Sequence, residues 1–181
     1  SRALASTTFP SRFMLIAALN PCPCGYRSDP RRSCSCSVPQ IERYMAKISG
    51  PLLDRVDIHI EVPAVPFKEL SGNAPGTSSA EMRKEVETAR EVQRQRFLGT
   101  RKTRLNAGMT SPQLRQFCRL KQECLSALKS SVNELGLSAR AHDKILRVAR
   151  TIADLEEHST IELNHLQEAI NFRLLDREMW V

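Results

Sequence analysis

Phe13-Met14-Leu15-Ile16-Ala17-Ala18-Leu19-Asn20-Pro21 is a run of seven apolar residues closed by an asparagine and a proline. Such a run fits a strand buried on both faces, as parallel sheets require. Pro21 has no N–H to offer a ladder, so the strand is expected to end there. Open α/β sheets place their ligand chemistry at the carboxyl ends of parallel strands, which makes Asn20 a candidate site residue. The alternative for Asn20 is a turn opener, a role that Asn-Pro fills well.

Working outward, Val56 to Val62 alternates strictly, with Val56, Ile58, Ile60 and Val62 against Asp57, His59 and Glu61. That pattern predicts a half-buried strand near a sheet edge. Two strands do not make a stable sheet alone. Either Thr7–Phe9 adds a third, or the other strands lie outside this sequence. In the second case the Phe13 run should be poorly covered, or should pair with another copy. Val38 to Ile48 predicts a short helix with Ile41, Tyr44, Met45 and Ile48 on one face. Ala64 to Ser79, with prolines, Gly72, Asn73 and Gly76, reads as a linker.

After the linker the pattern is helical throughout. Ser78 or Ser79 caps a helix to about Leu98, with Glu81 in its first turn. Ser111-Pro112 is an N-cap and first-turn pair. Leu125, Leu128, Val132 and Leu135 share a face until Gly136. Ser138 caps a helix with Ala141, Ile145, Val148, Ile152 and Leu155 inward, and Leu163, Leu166, Ala169 and Ile170 form a last one. The expected organisation is an α/β remnant over residues 1–63, a linker over 64–79 and an all-α bundle over 80–181.

The chain has 181 residues, 41% of them apolar, with 27 Lys+Arg against 20 Asp+Glu and a net charge of +7. That excess favours an anionic partner. No apolar stretch approaches the ~20 residues of a membrane span. Ser1–Pro10 is polar and the run after it is too short for a signal peptide. The expectation is a cytoplasmic protein with no membrane partner. The lack of Met at position 1 reads as a fragment or a processed chain.

Four of the six cysteines form two tight pairs, Cys22-Pro23-Cys24 and Cys34-Ser35-Cys36. Four thiolates on two knuckles satisfy tetrahedral zinc, and with every position filled the metal would be structural. The usual knuckle is C-x2-C, whereas each pair here is C-x-C. An iron–sulfur cluster, free thiols and disulfides are the alternatives. Cys118 and Cys124 fall in helical segments and read as small buried apolar residues.

Arg55 follows two leucines, in Leu52-Leu53-Asp54-Arg55, that can anchor a short helical turn. An arginine mounted rigidly near a sheet edge can reach a phosphate on a neighbouring subunit and stabilise charge on a transferred phosphoryl group. A surface cluster of Asp54, Arg55 and Asp57 is the alternative.

These segments, with Leu137–Leu155, occur in an order that resembles the later half of the magnesium-chelatase-like AAA+ ATPases. Asn20-Pro21-Cys22-Pro23-Cys24-Gly25 and Ser138-Ala139-Arg140-Ala141 point to a bacterial competence-protein branch. The resemblance covers Ser1 to about Arg177. It implies that Asn20 is the sensor-1 residue, Arg55 the arginine finger and Arg140 the sensor-2 arginine of a helical lid. It implies ATP and magnesium as cofactors, a hexameric ring of identical subunits, and a DNA motor acting in branch migration or unwinding during natural transformation. Residues Ser1–Pro10 would end a hairpin before the sensor-1 strand. A chelatase motor subunit and a stand-alone zinc-knuckle adaptor for nucleic acid are the alternatives.

No G-x-x-x-x-G-K-[ST] loop occurs, nor an apolar strand ending in paired acids. The expectation is therefore a C-terminal piece of a longer protein, inactive alone. Arg90, Arg94, Arg96, Arg101, Lys102 and Arg104 form a basic stretch suited to phosphate contact. A solvated face paired with Glu81, Glu85, Glu87 and Glu91 is its alternative. Arg27, Arg31 and Arg32 make a second basic group between the cysteine pairs.

Overall fold

A computed structural model describes residues 7–8, 13–65, 76–100 and 103–173. The chain divides into two compact units, one ending at Met45 and one beginning at Ala46.

In the first unit, Phe13–Asn20 does not form a strand. Phe13 is 78% exposed and Met14 and Ile16 are each 83% exposed. The sequence reading of a doubly buried strand is thus corrected. A strand needs neighbours to pair its backbone, and no strand exists among the described residues. A single helix follows the cysteine loop, α1 (Val38–Met45). It stops short of Ile48; Met45 is buried and Ile41 and Tyr44 are half-buried, as the spacing predicted.

The second unit opens with α2 (Gly50–Leu53), a single turn with Pro51 in its first turn and Ser49 O accepting from Leu52 N at 2.9 Å. The segment after it, Val56 to Val62, is also not a strand. Of the apolar set, Ile58, Ile60 and Val62 are exposed, while Val56 and His59 are half-buried. The cause is its partner: His59 N donates to Phe172 O at 2.9 Å, so the segment lies on helical structure.

The helices from 79 onward follow their predicted signals closely. Helix α3 (Ser79–Arg96) begins with a reciprocal capping box between Ser78 and Glu81. The Ser78 hydroxyl and N–H hold the Glu81 carboxyl below its usual range. A 3₁₀ turn, Asn106–Gly108, leads to α4 (Ser111–Phe117). Thr110 rather than Ser111 precedes that helix, its N–H donating to Gln113 Oε1 at 2.9 Å. Helix α5 (Gln122–Leu135) ends at Gly136, whose φ of 61° is the left-handed conformation that lets the chain turn out of the helix. Helices α6 (Ala139–Leu155) and α7 (Leu163–Asn171) complete the unit.

Helix α6 is central, packing against α3, α4, α7 and the 3₁₀ turn. Its buried stripe includes Ala141, Ile145, Ala149, Ile152 and Ala153, whereas Val148 is half-buried and Leu155 is exposed. The core also takes in Phe97, Met109, Leu114, Leu128, Ile161 and Leu166, with Phe97 and Phe117 edge to face at 5.6 Å. Cys118 and Cys124 are buried as expected, and desolvation pushes the Cys118 thiol up to about 11.

A polar network also sits inside this bundle. Asp154, fully buried, accepts from Arg96 at 2.6 Å, Arg150 Nε at 3.0 Å and Asn106 Nδ2 at 2.7 Å. Asn106 N donates to Gln93 Oε1 at 2.9 Å. The network ties the end of α3 and the 3₁₀ turn to α6.

Candidate functional site

Two places carry chemistry. In the first unit, Cys22, Cys24, Cys34 and Cys36 bring their sulfurs within 4.8 Å of one another. Cys22–Cys24, Cys24–Cys34 and Cys22–Cys34 are 3.3, 3.5 and 3.7 Å apart. These separations are far beyond the ~2.05 Å of a disulfide. They approach the roughly 3.8 Å between sulfurs that ~2.3 Å bonds to a tetrahedral zinc require. The loop geometry supports the grouping: Gly25, at a φ of 81°, donates to Cys22 O at 3.0 Å, turning the chain back after the first pair. The Tyr26 backbone pulls the Cys24 thiol down to about 5, whereas desolvation pushes Cys36 up to about 12. Four sulfur donors grouped this closely fit a divalent cation that favours thiolates. Arg32 stacks over the Tyr26 ring and donates to its hydroxyl at 2.8 Å. Asn20 is exposed, and its side chain lies close to Gly25.

The second place is in the other unit, where α2 meets the start of α6. Ser138 caps α6, accepting from Ala141 N at 3.1 Å, and its hydroxyl donates to Asp54 Oδ1 at 2.8 Å. Arg140 and Arg173 both lie 3.9 Å from the same carboxylate. Lys144 donates to Arg55 O at 2.6 Å and pairs with Asp57. Arg173, almost wholly buried, donates to Val56 O. The Arg55 guanidinium is exposed and donates to Pro51 O at 2.6 Å. Thus Arg140, distant in sequence, lies beside the carboxylate of the residue that precedes Arg55. Ser138 was legible as a cap, but its bond to Asp54 was not. Lys144 and Arg173 were missed, because neither stands in a local motif.

The basic stretch is thinner than its sequence reads. Arg96 is turned inward onto Asp154, and Arg94 pairs with Glu91. Arg90 and Arg104 are exposed, and Arg101 and Lys102 lie outside the described residues. All of the Ser1–Pro10 hairpin expectation except Thr7 and Thr8, and most of the linker, also fall outside them.

Glu156, His158 and His165 form another close group. His165 Nδ1 accepts from Glu162 N at 3.0 Å, so its proton is on Nε2, 2.9 Å from Glu156 Oε2. Both ring nitrogens are engaged in holding the start of α7, which leaves no lone pair for a metal.

Among the described residues no helix is long and apolar enough to cross a membrane. Residues 76–173 match the family described as magnesium chelatase, subunit ChlI C-terminal, and residues 1–70 match magnesium chelatase, subunit ChlI. The chain is 44% identical over 179 residues to YifB of Escherichia coli (strain K12), covering 98% of this chain and 34% of that protein. It is 40% identical over 178 residues to the competence protein ComM of Haemophilus influenzae, again covering 98% and 34%. A protein of Mycobacterium tuberculosis is 36% identical over 165 residues. The chain spans about a third of the length of these curated relatives.

Proposed function

This chain belongs to the magnesium chelatase ChlI family of AAA+ proteins, and from that premise we propose that it is the distal part of a ring-forming ATPase that moves DNA. Asn20 serves as the sensor-1 residue, Arg55 as the finger and Arg140 as the sensor-2 arginine. The observation that carries the reading is the turn at Asp54, where the residue before Arg55 bonds Ser138 and lies 3.9 Å from Arg140.

The chemistry follows from charge. A phosphoryl group in transfer spreads negative charge over its oxygens, and a positioned guanidinium lowers the barrier by meeting that charge. Arg55 is exposed, as a residue addressing a neighbouring subunit must be. Arg140 is 68% exposed at the start of α6, where the helix dipole disfavours a cation and an incoming anion would relieve it. A phosphate-cradling loop does not occur in these 181 residues, so Asn20, Arg55 and Arg140 would be only part of the ATP site. Cys22, Cys24, Cys34 and Cys36 would hold a zinc ion that would supply cross-linking rather than catalysis, since four thiolates fill a tetrahedral site.

The DNA assignment draws support from the net charge of +7 and from likeness to a protein named for competence. ATP hydrolysis by the full-length protein, measured with and without branched or single-stranded DNA, tests it. Stimulation by DNA is expected. Stimulation only by a chelatase partner would move the assignment to a tetrapyrrole-metallating motor.

A further inference from the structure

Lys144 lies one helical turn beyond Arg140, so the two share a face of α6. Its side chain is only 14% exposed, and its ammonium reaches two acceptors of a distant segment. One is the carbonyl of Arg55 itself, at 2.6 Å; the other is the Asp57 carboxylate. A largely buried lysine costs desolvation, and both its acceptors belong to the turn that carries the candidate finger. The neighbouring contacts act on the same turn: Ser138 grips Asp54 and Arg173 grips Val56 O. Lys144 bonds the Arg55 carbonyl, while the Arg55 N–H donates to Leu52 O at 3.0 Å within the turn.

We infer that Lys144 is a positioning residue for Arg55, fixing the backbone from which the guanidinium projects and joining it to the helix that carries Arg140. This rests on the finger assignment made above. It predicts that the angle of Arg55 is set by α6, so that the finger and the lid helix move as one body. A loss of aim of about 1 Å in such a group costs on the order of 100-fold in rate.

The test uses the full-length ATPase. Lys144→Met keeps the stem and removes the charge. It is expected to lower kcat roughly 10–100-fold with little change in the KM for ATP and a preserved melting temperature. Lys144→Arg should recover part of the rate. In an Arg55→Ala background, Lys144→Met should cause no further loss. Wild-type kcat in Lys144→Met, or a fall in rate matched by a fall in melting temperature and not rescued by arginine, overturns the inference. Full turnover by Arg55→Ala alone would instead overturn the finger assignment.

Discussion

Ser138 and Asp54, 84 residues apart, are joined by a hydroxyl-to-carboxylate hydrogen bond of 2.8 Å. The same hydroxyl oxygen caps α6, so one side chain both starts the central helix and fastens a distant turn to it. Ser138→Ala is expected to cost about 1–2 kcal/mol, read by urea denaturation. Ser138→Asp restores the cap but sets a second carboxylate against Asp54. It should regain helix stability while ATPase activity of the full-length protein stays low. Recovery of both would show that the Ser138–Asp54 bond has no role in the site.

The buried cluster around Asp154 predicts a large effect. Arg96 and Arg150 both depend on that carboxylate. Asp154→Ala would leave two inward-facing guanidinium groups without it, a loss of about 3–5 kcal/mol. Thermal unfolding followed by circular dichroism measures this. A change below about 1 kcal/mol, the range typical of exposed ion pairs, would contradict the network.

The four-cysteine knuckle predicts bound metal. Elemental analysis of protein purified under reducing conditions should find zinc at about one ion per chain, as the tetrahedral thiolate set requires. Cys22→Ser with Cys34→Ser should abolish it. Metal-free protein with reactive thiols would return the cysteines to the free-thiol alternative.

The ion pair of Lys121 with Glu162, at 2.7 Å, predicts a pH dependence. Hydrogen bonds from Lys121 and Thr160 lower the Glu162 pKa, and the Glu162 contact raises that of Lys121. The carboxylate's contribution is present above its unfolded pKa and lost as pH falls through the lowered folded value. The lysine's contribution is present below its unfolded pKa and lost as pH rises through the raised folded value. The stability difference between wild type and Lys121→Met should therefore be largest near neutrality and shrink at both extremes. A difference independent of pH would contradict the pair.

The helical half was legible because its signals are local. Ser78 with Glu81, Ser138 and Gly136 mark helix ends by satisfying nearby backbone groups, whatever surrounds them. The two strand readings failed because a strand is defined by neighbours, and Phe13–Asn20 and Val56–Val62 have no strand beside them among the described residues. The cysteine grouping was legible from spacing alone. Asp54, Lys144 and Arg173 were not, since their meaning arises only when α6 and the end of α7 close on the turn after α2. Arg96 was misread for the same reason: its partner is 58 residues away.

The central claim is that Arg55 acts as a finger. Steady-state ATP hydrolysis by full-length Arg55→Ala, with nucleotide binding measured in parallel, addresses it most directly. The account predicts turnover reduced on the order of 10³-fold or more with nucleotide affinity largely kept. Turnover at the wild-type rate would contradict it.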